Sequence, residues 1–264
     1  MMKRLLITGA AGGLGTMCRT RLAHMANILR LSDVVPMGEA AANEEHVVCD
    51  LADEAAVFEL VKDCDGIIHL GGVSVEKSYD LIEAANIRGL YNLYEAARAN
   101  GKPRIVFASS NHTIGYYPQD QRLTADMPTR PDGWYGISKV FGEAVASMYH
   151  SKFGQETALL RIGSCFEKPK DRRMMATWLS YDDFVSLMER VFAVPKLGCP
   201  IIWGASDNTC GWWDNSHLGW LGWKPKDDSE VFREEIEQQP RKAADAPDVL
   251  WQGGMFTAEP VHRD

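Results

Sequence analysis

Short apolar runs and helix-period patterns take turns along the first 165 residues. Residues 3–8 (Lys-Arg-Leu-Leu-Ile-Thr) have the composition of a buried parallel strand. A glycine-rich stretch from Gly9 to Gly15 follows, and then a helical pattern through Leu22, Ala23 and Met25. Further strands are predicted at 28–33, ending in Asp33, at 46–51, ending around Asp50, and at 66–70. The fifth, at 104–108, runs directly into Ser109 and Ser110, and the sixth covers 157–162. Helices are predicted over 52–62, over 78–99 with Leu81, Ile82, Ala85, Leu90, Leu93, Tyr94 and Ala97 at helical spacing, and from Tyr135 to about residue 152. This alternation predicts an α/β fold, a Rossmann-type doubly wound parallel sheet with ligands at the carboxyl ends of its strands.

Beyond residue 165 the pattern is less regular. A helix is predicted over Trp178–Phe192 and a last short strand at 200–203. Trp203, Trp212, Trp213, Trp220 and Trp223 are assigned to packing, with the alternative that one ring lines a substrate pocket. The polar, proline-containing tail from Gln238 predicts a loosely ordered end. The expected organisation is a dinucleotide-binding part over 1–165 and a small substrate-binding extension over 166–264, intertwined as one compact unit.

Bulk properties narrow the function classes. A chain of 264 residues can bury a large core. A net charge of −8 with no basic stripe speaks against nucleic acid. No apolar run reaches the ~18 residues of a membrane span, and no signal-peptide pattern precedes the glycine-rich turn, so a cytoplasmic protein without membrane partners is expected. The six cysteines have no metal-ligand spacing and read as reduced thiols, and no metal is expected.

Three features carry chemistry. The first is the turn containing Gly9, Gly12, Gly13, Leu14 and Gly15, spaced GxxGxxG. Such glycines permit a tight turn and close approach of a pyrophosphate to a helix N-terminus, although a bare strand–helix connection has the same look. The second is Asp33, at a strand end 18 positions after Gly15, where a carboxylate accepts from ribose hydroxyls and repels a 2′-phosphate. This favours NAD over NADP, with Arg30 nearby as the competing signal. Asp50 has two readings, an adenine contact and an N-cap for the helix at 52–62. The third feature is Tyr135 four residues ahead of Lys139, one helical turn apart on one face. An ammonium beside a phenol stabilises the phenolate and makes it a usable base, with Ser110 placed to hold the reacting oxygen. Ser74, Ser110 and Ser164 each follow a strand and are expected to converge on one crevice.

Thr8–Gly15, Asp33, Cys49-Asp50-Leu51, His69–Gly72, Ser109-Ser110 and Tyr135-Gly136-Ile137-Ser138-Lys139 together resemble the extended short-chain dehydrogenase/reductase family over at least residues 3–165. Within it, Gly71–Lys77, Ala108–Tyr117, Arg161–Cys165 and Gly211–Ser216 look like bacterial members that oxidise the anomeric carbon of glucuronate or galacturonate with NAD. The resemblance implies an aldarolactone product, with Tyr135 as the base, Ser110 holding the same hydroxyl, and Lys139 lowering the tyrosine's pKa. It implies cofactor contacts from Gly9, Gly12, Gly13, Leu14, Gly15, Asp33, Asp50, Leu51, Leu70, Gly71, Gly72, Tyr135, Lys139 and Ile162. It also implies sugar-acid contacts from Ser74, Ser110, Asn111, His112, Ser164 and Arg173, with Arg172 competing for the last role. His112 retains a purely structural alternative, and Asn86 reads equally as a buried structural amide or a proton-relay group. The resemblance further implies a homo-oligomer paired through the helices at 78–99 and 135–152. The competing functions are a sugar-nucleotide epimerase or reductase with the same triad and a non-catalytic NAD-sensing regulator.

Overall fold

The computed structural model describes residues 1–263. Seven parallel strands form the central sheet: β1 (Met2–Thr8), β2 (Ala26–Asp33), β3 (Glu44–Val48), β4 (Gly66–His69), β5 (Arg104–Ser110), β6 (Thr157–Ile162) and, labelled in chain order, β9 (Ile201–Gly204). Their order across the sheet is β3-β2-β1-β4-β5-β6-β9, which places the reversal of winding between β1 and β4. A doubly wound sheet opens its ligand crevice at that switch point.

The two-residue period of each strand explains both layers. Leu5, Ile7, Ile68, Val106 and Leu160 face one way, against α1 (Gly13–Arg21) and α7 (Tyr181–Ala193). Leu6, Ile67, Ile105, Phe107 and Leu159 face the other way, against α2 (Glu54–Val61), α4 (Gly89–Ala99) and α5 (Trp134–Phe153). Apolar residues at every strand position are what a sheet covered on both faces requires. The remaining elements are short: α3 (Tyr79–Ile82), β7 (Ser164–Cys165), α6 (Arg172–Thr177), β8 (Trp178–Leu179), α8 (Arg233–Glu237) and α9 (Pro247–Leu250).

Several local expectations differ. The third strand stops at Val48, so Cys49, Asp50 and Leu51 form a loop. Asp50 is not a helix cap: Asp53 fills that role by accepting from the Ala56 N–H at 3.1 Å, while Asp50 accepts from Ala52. The helix over 79–99 is interrupted by a π-helical stretch at Glu83–Arg88, and Leu81 is 56% exposed. A π turn holds more residues than an α turn, so spacing extrapolated from Leu90–Ala97 does not carry back to Leu81. Trp178 and Leu179 are not helical; they pair with Ser164 and Cys165, and α7 starts only after Ser180 caps it.

Trp203, wholly buried, stacks on Trp213 at 5.1 Å within a small cluster with Ile114, Tyr117 and Leu123. Trp220, by contrast, is half exposed and packs little. The tail is not loose. Arg172 donates to the carbonyls of Glu237, Gln239 and Pro240, Gln119 holds Leu250, and Gln252 is fully buried. Backbone hydrogen bonds rather than an apolar stripe anchor this segment, so hydropathy gives no sign of it. Among the described residues no helix is long and apolar enough to cross a membrane.

Candidate functional site

The glycine-rich turn links β1 to α1 beneath a cleft of about 380 Å³. Gly9 has φ of +70°, and a Cβ there would press to 2.7 Å from the Gly71 nitrogen. A Cβ on Gly15 would collide with the Gly9 carbonyl. These two positions let the turn, the helix start and the loop after β4 close on one another. Gly13 faces open space, where the α1 amides are free to receive an anion. Gly9, Gly12, Gly13, Leu14, Gly15, Asp33, Asp50, Leu51, Leu70, Gly71, Gly72 and Ser74 all line the cleft.

The Asp33 carboxylate accepts from Ala11 N–H at 3.0 Å and from Val34 N–H at 2.8 Å, which fixes it at the cleft rim. Arg30, the competing signal for a phosphorylated ribose, points away. Its guanidinium binds Glu45 and the carbonyls of Leu60 and Lys62.

Past Ser74 a second group gathers at the carboxyl ends of β5 and β6. Helix α5 starts with Gly133, which has no side chain for capping, and Glu76 supplies the cap from the loop after β4. Its two carboxylate oxygens accept from Trp134 and Tyr135 N–H, both at 2.9 Å. Asn86 is tied to Val73 and donates to the Ser138 hydroxyl, which in turn donates to the Tyr135 carbonyl. Asn86 is therefore a structural amide that joins the cleft loop to α5.

Tyr135 is buried, with the Ser110 side chain acting on its hydroxyl. Lys139 Nζ lies 5.5 Å from the tyrosine ring and 5.2 Å from that of Phe107. Burial pushes the Tyr135 phenol up to about 12, Ser110 pulls it back, and Asp132 pushes it further up. Burial also draws Lys139 down to about 8. Loss of solvent favours the neutral form of both groups.

The other predicted residues divide. Ser110 sits opposite Ile162 in the β5–β6 register. Ser164 is buried and shares a hydrogen bond with Thr177 at 2.9 Å. Asn111 Nδ2 and Arg173 Nη1 both donate to the Gln252 carbonyl, at 3.4 and 2.7 Å. The neighbouring Arg172 is committed to the tail carbonyls, which separates the two arginines. Burial draws the Arg173 guanidinium below the usual arginine range, partly offset by Asp171, Asp132 and Asp248, none of which closes an ion pair with it among the described residues. His112 Nδ1 donates to the Asp132 carboxylate, 2.7 Å away.

Residues that the sequence reading missed come chiefly from the tail. Phe256 stacks on His112 with ring centres 3.8 Å apart and lies 6.2 Å from Tyr135. Gln252 receives Asn111 and Arg173 while its amide is held by Trp213, Pro118 and Gln121. The pair of glycines at 253 and 254 between two aromatic residues was the one sequence signal of a turn built to pack closely.

Residues 5–180 match the model of the NAD dependent epimerase/dehydratase family. The chain belongs to the NAD dependent epimerase/dehydratase family. It is 63% identical over 263 residues to the uronate dehydrogenase of Agrobacterium fabrum, covering 99% of each chain. It is 55% identical over 254 residues to that of Pseudomonas putida, covering 96% of this chain and 95% of the relative. A crystal structure of the uronate dehydrogenase from Agrobacterium tumefaciens, a tyrosine-to-alanine mutant complexed with NAD, superposes with a TM-score of 0.99 at 62% identity over 100% of both chains. In this epimerase/dehydratase-family chain the glycine turn, Asp33 and Ser74 line one cleft, and Tyr135 neighbours Ser110 at the carboxyl end of β5.

Proposed function

We propose that this chain is an NAD-dependent dehydrogenase that oxidises free hexuronic acids at C1 to aldarolactones. The observation that carries the reading is the buried Tyr135 phenol, next to Ser110 and one turn from Lys139, in a chain whose glycine-rich turn floors a cleft. Near-full-length identity to uronate dehydrogenases supports the substrate class. The cleft suits a dinucleotide: Gly9 and Gly15 leave no room for a Cβ, the α1 N-terminus is open, and a fixed carboxylate stands at the rim. NAD, when bound there, supplies the acceptor for the two electrons that leave C1.

The residues of the chain do the rest. Tyr135 takes the proton of the C1 hydroxyl. Ser110 holds that oxygen, and the Lys139 ammonium offsets the charge on the phenolate. Arg173 offers its planar fork to the C6 carboxylate, with Asn111 beside it and His112 on the sugar hydroxyls. Oxidation with the ring closed requires no water and no metal. Phe256 shields this end from solvent.

Spectrophotometric assay of NADH formation tests the reading. Turnover with free glucuronate or galacturonate and none with UDP-sugars is expected; turnover confined to UDP-sugars would assign the site to a sugar-nucleotide epimerase or reductase instead.

Asp33 is expected to set the coenzyme preference, since Arg30 is turned away. In Asp33→Asn, loss of the like charge raises kcat/KM for NADP relative to NAD by about tenfold or more. An unchanged ratio would remove Asp33 from that role. The chain is also expected to self-associate. Leu81, Tyr91, Ile137, Phe141 and Met148 leave apolar surface on the helices at 79–99 and 134–153. Light scattering on purified protein should give a multiple of the 29.4 kDa chain mass, and a monomer would count against that pairing.

A further inference from the structure

Asp132 lies in the turn before α5, and its carboxylate is completely buried. Oδ2 is 2.7 Å from His112 Nδ1, and Oδ1 has no partner among the described residues. Leaving a carboxylate oxygen unpaired in the interior costs free energy, so the position demands a reason. The surroundings are shaped for it. A Cβ on Gly115 or on Gly253 would collide with the carboxylate, and one on Gly136 would come within 3.2 Å of it. Three separate segments, including the C-terminal turn, therefore keep room for this one side chain.

The imidazole is fixed from two further sides: Phe256 covers one face, and the Tyr135 ring meets it edge-on at 5.6 Å. A carboxylate only accepts, so Nδ1 must carry the hydrogen. Nε2 takes no hydrogen bond from the described residues. The same charge opposes ionisation of Tyr135, so activating the base is not what Asp132 is for.

Resting on the function proposed above, we infer that Asp132 is a positioning residue. It holds His112 by Nδ1 and aims Nε2 at the hydroxyls of the bound sugar acid. Its pocket also ties the seating of the C-terminal turn at Gly253 to the geometry of that ring. The groups that face Tyr135 are Ser110 from β5, His112 from the turn after β5, Asp132 and Lys139 on either side of the α5 start, and Glu76 at the helix N-terminus.

The test compares Asp132→Ala, Asp132→Asn and Gly253→Ala in the full chain with NAD and both hexuronates. Asp132→Ala removes the acceptor, and Gly253→Ala drives a methyl against Oδ2. Both are expected to raise KM for the sugar acid about tenfold or more while KM for NAD stays put. Asp132→Asn keeps an acceptor and the shape but loses the charge. It should restore most of the KM and move the acid limb of kcat/KM to lower pH, because Tyr135 then ionises more easily. A wild-type sugar-acid KM in any folded Asp132→Ala or Gly253→Ala protein overturns the inference, as does an equal rise for NAD. ¹⁵N spectra of histidine-labelled protein decide it without substrate: the His112 hydrogen on Nδ1 is expected, and a hydrogen on Nε2 would contradict it. Wild-type protein that oxidised neither hexuronate would defeat the function reading alone, with the ¹⁵N result still standing for or against Asp132.

Discussion

Replacing Tyr135 by phenylalanine is expected to lower kcat for hexuronate oxidation by about 10²–10⁴-fold, the range for loss of a positioned general base. The ring remains buried beside the stacked His112 and Phe256, so the site keeps its shape. Ser110 loses the phenol but still accepts from His112 N–H at 3.2 Å. The stability cost is thus about that of one buried hydrogen bond, ~1 kcal/mol. NAD affinity, measured by fluorescence titration, should change little, because the residues lining the nucleotide cleft are untouched. A variant that turned over normally would remove Tyr135 from the chemistry. One that lost NAD binding and kcat together would point to a structural role.

Arg173→Ala carries the second large effect. A hexuronate brings a carboxylate to Arg173, whose guanidinium donates to the Gln252 carbonyl and feels Asp171, Asp132 and Asp248 without closing an ion pair to any of them among the described residues. Losing a two-pronged charged hydrogen bond costs about 2–5 kcal/mol, which raises KM for the sugar acid by about 30-fold or more. Arg173→Lys should fall between the two, since it keeps the charge without the fork. Arg172→Ala is the matched control. Its guanidinium holds tail carbonyls, so a lower melting temperature with a near-normal KM is expected. If Arg172→Ala raised KM and Arg173→Ala did not, the two roles would be exchanged.

How far the sequence foretold this molecule depended on whether the signal was periodic. The strands around Leu5, Ile67, Val106 and Leu159 alternate between two packed layers, and the glycines at 9 and 15 sit where no Cβ fits. Such local rules are legible residue by residue. Glu76 as the cap of α5 was not, because it acts across 58 positions and leaves no mark near Gly133. The same holds for Phe256 and Gln252, in a tail whose polar composition reads as loose although side chains from elsewhere in the fold hold its carbonyls. The pKa balance at Tyr135 was also out of reach. The Tyr/Lys spacing places the two side chains on one helix face, whereas the burial that acts on both comes from elements brought together by the fold.

The central claim is that Tyr135 takes a proton at C1 of a hexuronate while the C1 hydrogen goes to NAD. Incubating the enzyme and NAD with glucuronate deuterated at C1 tests it most directly. The account predicts that mass spectrometry finds the deuterium on the reduced nicotinamide and a lactone free of it. Deuterium kept in the sugar, or lost to water, would contradict it.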